Sequence, residues 1–372
     1  MVKHRFSVLV AALATLAATA AFAANPGDDR YEAGGAVYTM TNAATGNAVL
    51  VFDRENDGRL TPAGSVSTGG NGTGAGLGNQ SGVVLSGNER WLVTVNAGSN
   101  SVALLEVRRR GLRLADVVSS GGVTPISVTE HHGLVYVVHS GSSSIAGFEI
   151  ERGRLRPLPG SQRGLSATGV GPAQIGFTPD GRHLIVTEKA TNQIVSFAID
   201  RDGLPGDAVV QPASGVTPFG FAFGKRDLLV VTEAFGGAAD GSATSSYRVE
   251  RDGALTTVSG SAATAQTAAC WAAVTPDGRY AYVTNAGSGS ITGYRVAFDG
   301  SLRRLDASGR TAVTGAGSTP LDMVVTDNGR MLYVLTGGSH AITPFRIGRD
   351  GSLTPLSGGA TVPAGVNGLA VR

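Results

Sequence analysis

Residues 276–307 read PDGRYAYVTNAGSGSITGYRVAFDGSLRRLDA. The stretch opens on an Asp-Gly turn at Asp277-Gly278 and continues through a β-rich run from Tyr280 to Thr284. After a short loop comes a second alternating run, Ser290 to Ala297, which ends in another turn at Asp299-Gly300. Alternation at period two buries one face of an extended chain and wets the other, so these runs predict strands. Asp-Gly between them predicts hairpins, with a type I′ turn and φ > 0 at both central positions as the expected geometry.

The unit recurs along the chain. Taking Asn285 of YVTN as the marker, its counterparts are Asn42, Asn96, His139, Glu188, Glu233 and Thr336. The successive spacings are 54, 43, 49, 45, 52 and 51 residues. An apolar run precedes the first turn of the unit in QIGFTPDG, WAAVTPDG and DMVVTDNG, and supplies a further strand. A second series of Asp-Gly turns recurs at Asp57, Asp202, Asp252, Asp299 and Asp350. Four strands at this period predict an all-β, seven-bladed β-propeller of four-stranded blades. The first unit lacks a strand before Ala36, and Val366 to Val371 is a strand with no partner after it. The C-terminal strand is therefore expected to complete the first blade, which closes the ring and removes its exposed edges.

Residues 1–23 stand outside this pattern. Lys3, His4 and Arg5 precede an apolar run, and Ala21-Phe22-Ala23 supplies small residues at a cleavage site, as in a secretory signal peptide. Residues 24–35 form a polar, flexible lead-in, and 36–372 the propeller. The expected location is periplasmic or extracellular. No later run approaches the ~20 apolar residues that span a bilayer. Without Lys3 and Arg5 the basic and acidic counts are equal, so neither nucleic-acid binding nor a polybasic membrane contact is expected. Glycine, at 55 of 372 residues and without a collagen period, fits a fold of many tight turns. Cys270 is the only cysteine and reads as a small buried residue.

Two rings of side chains are candidates for a site. Inner strands line the channel of a propeller, and their openings are small and apolar apart from Gln174, Trp271 and Asp322. The ends of the next strands carry Asn96, His139, Glu188, Glu233 and Asn285, residues able to bond a polyhydroxylated or carboxylated ligand. Each Asn also suits turn capping. Glu188 and Glu233 fall at equivalent positions of adjacent blades, where paired carboxylates could divide acid and base roles; pairing of Glu188 with Lys189 is the plainer alternative. The Gly-rich connection from Ser67 to Gly82 lacks the following helix of a phosphate-binding loop and reads as a flexible inter-blade loop. The residues from Phe235 to Ser246 read as an inserted loop. No HxxxH or HExxH spacing occurs, so no metal and no cofactor are expected.

The PDGRYAYVTN-type runs, each followed by a strand ending in an Asp-Gly turn, resemble the seven-bladed lactonase family of 6-phosphogluconolactonases and carboxymuconate cyclases. The likeness covers 36–372, and YVTN itself resembles the repeat of exported surface-layer propellers. The family signature implies a His after the proline that opens the fourth inner strand; here Pro172 is followed by Ala173 and Gln174. It implies an Arg-His pair opening the next inner strand; here Pro218 is followed by Phe219 and Gly220. The family Glu at the end of the second strand of that blade matches Glu233. The resemblance implies a hydrolase of a small sugar-derived or carboxylated lactone with Glu233 as base, and the paired-carboxylate position adds Glu188 as its catalytic partner. Lys189, Gln174, Trp271, Asp322, Asn96, Asn285 and His139 would bind the ligand. The alternative is a non-catalytic envelope propeller that binds a ligand or a protein partner.

Overall fold

The computed structural model describes residues 34–109 and 111–372. The expected signal segment and most of the lead-in lie outside them. Seven antiparallel sheets follow one another along the chain, each built outward from an inner strand. In the third, sixth and seventh the outermost strand is broken into two short pieces. The seven-bladed propeller is thus the observed fold. Its closure is the expected one: Asn367–Val371 pairs with Gly35–Met40 as the inner strand of the first blade. The Arg54 guanidinium also donates to the Arg372 carbonyl, at 3.0 and 3.2 Å.

Burial explains why some strands alternate and others do not. Second strands such as Tyr280–Asn285 and His183–Glu188 are buried along their whole length, because both faces pack against neighbouring blades. Outer strands such as Leu60–Ser67 bury little and carry the polar residues. The insertion expected from Phe235 to Ser246 is shorter than its sequence suggested. A single 3-10 turn, Phe235–Gly237, precedes the strand Ala243–Val249, which absorbs Ala243 to Ser246.

The Asp-Gly turns differ from the expected type. Only the glycine has positive φ, as at Gly58, Gly203, Gly253, Gly300 and Gly351. In the first, Gly58 N–H donates to the Glu55 carbonyl at 3.0 Å, so a type I turn is followed by a left-handed glycine. The aspartate instead accepts the N–H two residues on, as Asp277 does from Arg279 at 3.0 Å. These glycine carbonyls tie adjacent blades together. The Tyr136, Tyr282 and Tyr333 hydroxyls donate to the carbonyls of Gly203, Gly351 and Gly58, at 2.7, 2.8 and 2.9 Å. Ser196 and Ser246 make the same bond to Gly253 and Gly300.

The ladder fixes two faces. Pro125, Pro172, Pro218, Ala269 and Pro320 pair with His139, Glu188, Glu233, Asn285 and Thr336. Inner-strand openings and second-strand ends therefore share one face, here the upper one. The Asp-Gly turns lie on the opposite, lower face.

Candidate functional site

The Gly-rich connection after the first blade is not a free loop. Its last residues run across the upper end of the channel and are held from several blades. The Trp271 indole N–H donates to the Asn79 carbonyl at 2.6 Å. The Gln80 amide donates to the Ala272 carbonyl at 2.8 Å and accepts the Ala272 N–H at 3.1 Å, closing on that strand as a neighbouring backbone would. Asn79 and Asn367 exchange amide hydrogen bonds at 2.8 and 3.1 Å. A Cβ at Gly220 would collide with the Gln80 amide, so glycine there admits the strap. Lys189 Nζ donates to the Gly78 carbonyl.

Beneath this strap lies Asp322, on the inner strand Pro320–Val325, whose ladder register shifts between Pro320 and Met323. The same shift opens the inner strands of the third to sixth blades, so it is a feature of the repeat. The Asp322 carboxyl accepts the Met323 N–H at 2.9 Å, the Ser81 N–H at 3.2 Å and the Leu369 N–H. It is 4% exposed, and burial pushes it up to about 7 against those three donors. Gln174 accepts the Phe221 N–H at 2.7 Å and donates to the Ser81 hydroxyl at 3.4 Å. Asp322, Ser81 and Gln80 line a cavity of about 370 Å³ that extends past Val84 and Val324 to the lower face, where Glu89 and Asp327 lie. No lysine, arginine or histidine lines it.

The expected site residues thus separate into three sets. Asp322 and Gln174 meet at Ser81, as just described. Lys189 and Trp271 meet at Phe219 on the upper face. The Lys189 Nζ lies 4.7 Å from the Phe219 ring centre, and the Phe219 and Trp271 centroids are 5.0 Å apart. Burial lowers the Lys189 ammonium to about 8, and burial also raises the neighbouring Cys270 thiol to about 12.

The third set comprises Asn96, His139, Glu188, Glu233 and Asn285, all with no solvent exposure. Glu188 accepts from the Ser166 N–H at 3.0 Å, the Ser166 hydroxyl, and the Thr191 hydroxyl at 2.7 Å. Glu233 accepts from the Ser245 hydroxyl, the Ser261 hydroxyl at 2.7 Å and the Gly215 N–H. Burial raises the Glu233 carboxyl, and these donors oppose it. The two carboxylates thus occupy separate hydroxyl networks. The bonds of Glu188 are to its own surroundings and not to Lys189.

Asn96 accepts from Thr68 at 2.6 Å and Asn47 at 3.0 Å, and donates to Ser101 at 3.1 Å. Both His139 nitrogens face carbonyls, Ser120 at 3.0 Å and Ser144 at 3.1 Å, while burial lowers its pKa. Asn285 donates to Ser290 and Thr292, at 3.1 and 2.9 Å. A Cβ at Gly70, Gly122 or Gly215 would overlap Asn96, His139 or Glu233 respectively. These three side chains therefore pack on the segment that enters their blade.

Sequence reasoning did not single out Asn79, Gln80, Ser81, Phe219 or Asn367. A usable signal was present: Gln80 stands where Pro172, Pro218 and Pro320 open other inner strands. Among the described residues no group of three or more His, Cys, Asp or Glu side chains could hold a metal ion, and no helix is long and apolar enough to cross a membrane.

The same architecture occurs in solved structures. A putative 6-phosphogluconolactonase from Bacteroides fragilis is 18% identical, with a TM-score of 0.73 over 93% of this chain and 100% of that one. The periplasmic gluconolactonase PpgL of Pseudomonas aeruginosa is 16% identical, with a TM-score of 0.73 over 91% of this chain and 98% of that one. No match was found among curated proteins. The family model for the lactonase seven-bladed β-propeller matches residues 29–170 and 245–369. The intervening 171–244 holds most of the fourth and fifth blades, where the family's His and Arg-His pair are absent. The match nevertheless covers well over half of the sequence, and the chain belongs to the seven-bladed β-propeller lactonase family.

Proposed function

We propose that this protein is an exported hydrolase that opens a small, uncharged sugar lactone inside its channel, with Asp322 as general base. The observation that carries this reading is the placement of Asp322. It is a buried carboxyl lining a cavity of small-molecule size, beside a hydroxyl whose oxygen already accepts from Gln174. A base titrating near neutrality is matched to proton transfer at the pH of an envelope compartment. Membership of the lactonase family supplies the reaction class. The name of the Pseudomonas relative, a periplasmic gluconolactonase, supports a gluconolactone-like substrate, whereas that of the Bacteroides relative points to a phosphorylated one.

In this mechanism the Asp322 carboxylate takes a proton from water as that water's oxygen bonds to the lactone carbonyl carbon. The Ser81 O–H donates to the developing oxyanion, its own oxygen being held by the Gln174 amide. Collapse of the tetrahedral intermediate breaks the ring C–O bond. The Asp322 acid returns its proton to the leaving ring oxygen, releasing a hydroxy acid.

The substrate is uncharged because the cavity offers three carboxyl groups and no cation. A phosphate or carboxylate beside Glu89, Asp327 and Asp322 would meet like charge in a low dielectric. Glu188 and Glu233, in this reading, hold blade entries and do not touch substrate. Export rests on the basic, apolar and small-residue order of residues 1–23.

The test is hydrolysis of neutral and phosphorylated aldonolactones by the secreted protein, beside Asp322→Asn and Ser81→Ala. Turnover of the neutral lactone, lost by at least about 100-fold in Asp322→Asn, is expected. Equal turnover in Asp322→Asn, or preference for the phosphorylated lactone, would overturn the reading. No turnover from a folded protein would favour the ligand-binding alternative.

A further inference from the structure

The upper face carries a second chemical feature that the channel mechanism does not use. The chain contains three lysines, Lys3, Lys189 and Lys225. Every other basic side chain apart from the histidines is an arginine, which cannot become a neutral amine at ordinary pH. Lys189 is half-buried at the channel mouth, over the Phe219 ring and beside Trp271 and Cys270. Its Nζ has one hydrogen-bond acceptor, the Gly78 carbonyl. Among the described residues no carboxylate forms an ion pair with it. The site therefore stabilises an ammonium weakly, by one carbonyl and one aromatic face, while its apolar walls remove water. Lys225 is exposed on the lower face and experiences none of this.

We propose that Lys189 is a covalent acceptor site on the upper face, acylated at Nζ by small aldonolactones. The neutral amine adds to the lactone carbonyl carbon, forming a C–N bond, and the ring C–O bond breaks. The proton lost from nitrogen ends on the released ring oxygen. Nothing leaves, so the adduct is an amide carrying the whole opened sugar acid, and no co-reactant is needed. With its ammonium lowered to about 8, Lys189 is roughly one-tenth neutral at pH 7, some 300 times the neutral fraction of an ordinary lysine. Its lower basicity offsets part of that advantage. Acylation removes the positive charge from the Phe219 face and replaces the ammonium that holds Gly78. The strap would then lose one of its anchors.

The choice of electrophile rests on the lactonase reading, but the site does not share its residues. Strap residues Gly78 to Ser81 lie between Lys189 and Asp322, bonded to the first through Gly78 and to the second through Ser81.

The experiment incubates the full secreted protein with a neutral aldono-1,5-lactone at pH 7 and maps acylated peptides by mass over time, with turnover followed in the same samples. Lys189 should gain the full mass of the lactone at least about tenfold faster than Lys225. Lys189→Arg should lose that adduct while Lys225 is unaffected. Asp322→Asn should be acylated at Lys189 as the wild type is, whatever happens to its turnover. Lys225 acylated as fast as Lys189, or Lys189 left unmodified while Lys225 reacts, would overturn the proposal. Loss of the Lys189 adduct in Asp322→Asn would overturn its independence from the channel.

Discussion

Asp322→Asn has a consequence for stability that does not depend on any substrate. The carboxyl titrates at about 7 in the folded protein against 3.8 for the free group, because burial penalises the anion more than three N–H donors reward it. Between those values the folded chain keeps a proton that the unfolded chain has released. Stability from this residue is therefore fully present below about pH 4 and is lost as pH rises through 7. At about 1.4 kcal/mol per pH unit the span amounts to roughly 4 kcal/mol. Asparagine has no such titration, but its NH2 turns a donor toward the N–H groups of Ser81 and Met323, a constant cost of about 1–3 kcal/mol. The variant should thus be less stable than wild type at pH 4 and more stable at pH 8. Urea unfolding of both proteins at each pH, followed by tryptophan fluorescence, gives the difference directly, and shifts common to both proteins cancel. A difference that stays flat with pH, or falls, would refute the buried carboxyl and with it the base assigned to it.

Glu233→Gln places an amide N–H against the Ser245 and Ser261 hydroxyls and should cost about 1–3 kcal/mol in urea unfolding. Turnover per folded molecule should stay within about threefold, and a loss above about 100-fold would return Glu233 to the role of base. Tyr333→Phe removes the 2.9 Å bond to the Gly58 carbonyl that joins the last blade to the first, and should cost about 1–2 kcal/mol without changing the turnover. Trp271→Phe keeps the aromatic contact with Phe219 but loses the indole donor to Asn79. Amide exchange of residues 76–82 should quicken by about tenfold or more while the blade cores stay protected, and unchanged exchange there would show that the strap is held otherwise.

The fold was legible because a propeller writes itself as repetition: apolar runs before a turn, seven markers at similar intervals, and a lone C-terminal strand. The turn type was not legible in the same way. Asp-Gly serves both a type I′ turn and a type I turn with a left-handed glycine, and strand register decides between them. At Asp277 the carboxylate accepts the Arg279 N–H, and the aspartate lies outside the left-handed region.

The site was less legible for a geometric reason. Aligning repeats shows how far along the propeller axis a residue lies, and says nothing of whether its side chain points toward that axis or away from it. Asn96, Glu188 and Glu233 lie at one depth and align as a ring in the sequence, yet each meets hydroxyls of neighbouring segments. Asp322 stands at the repeat position of Gln174 and Trp271, and the register shift beside it recurs in the inner strands of blades three to seven, so only its side-chain chemistry sets it apart. The strap adds a second obstacle. Asn79, Gln80 and Ser81 meet partners from 47 to 288 residues away, so nothing local marks them as channel residues. What does mark them is the break in the repeat, where Gln80 replaces the proline that opens other inner strands. A proline at that position would leave the Ala272 N–H and carbonyl unpaired at the channel wall, and a two-sided amide pairs both. The next residue, Ser81, turns its N–H to the Asp322 carboxyl at 3.2 Å. The departure from the repeat therefore brings to the candidate base one of the donors that hold it.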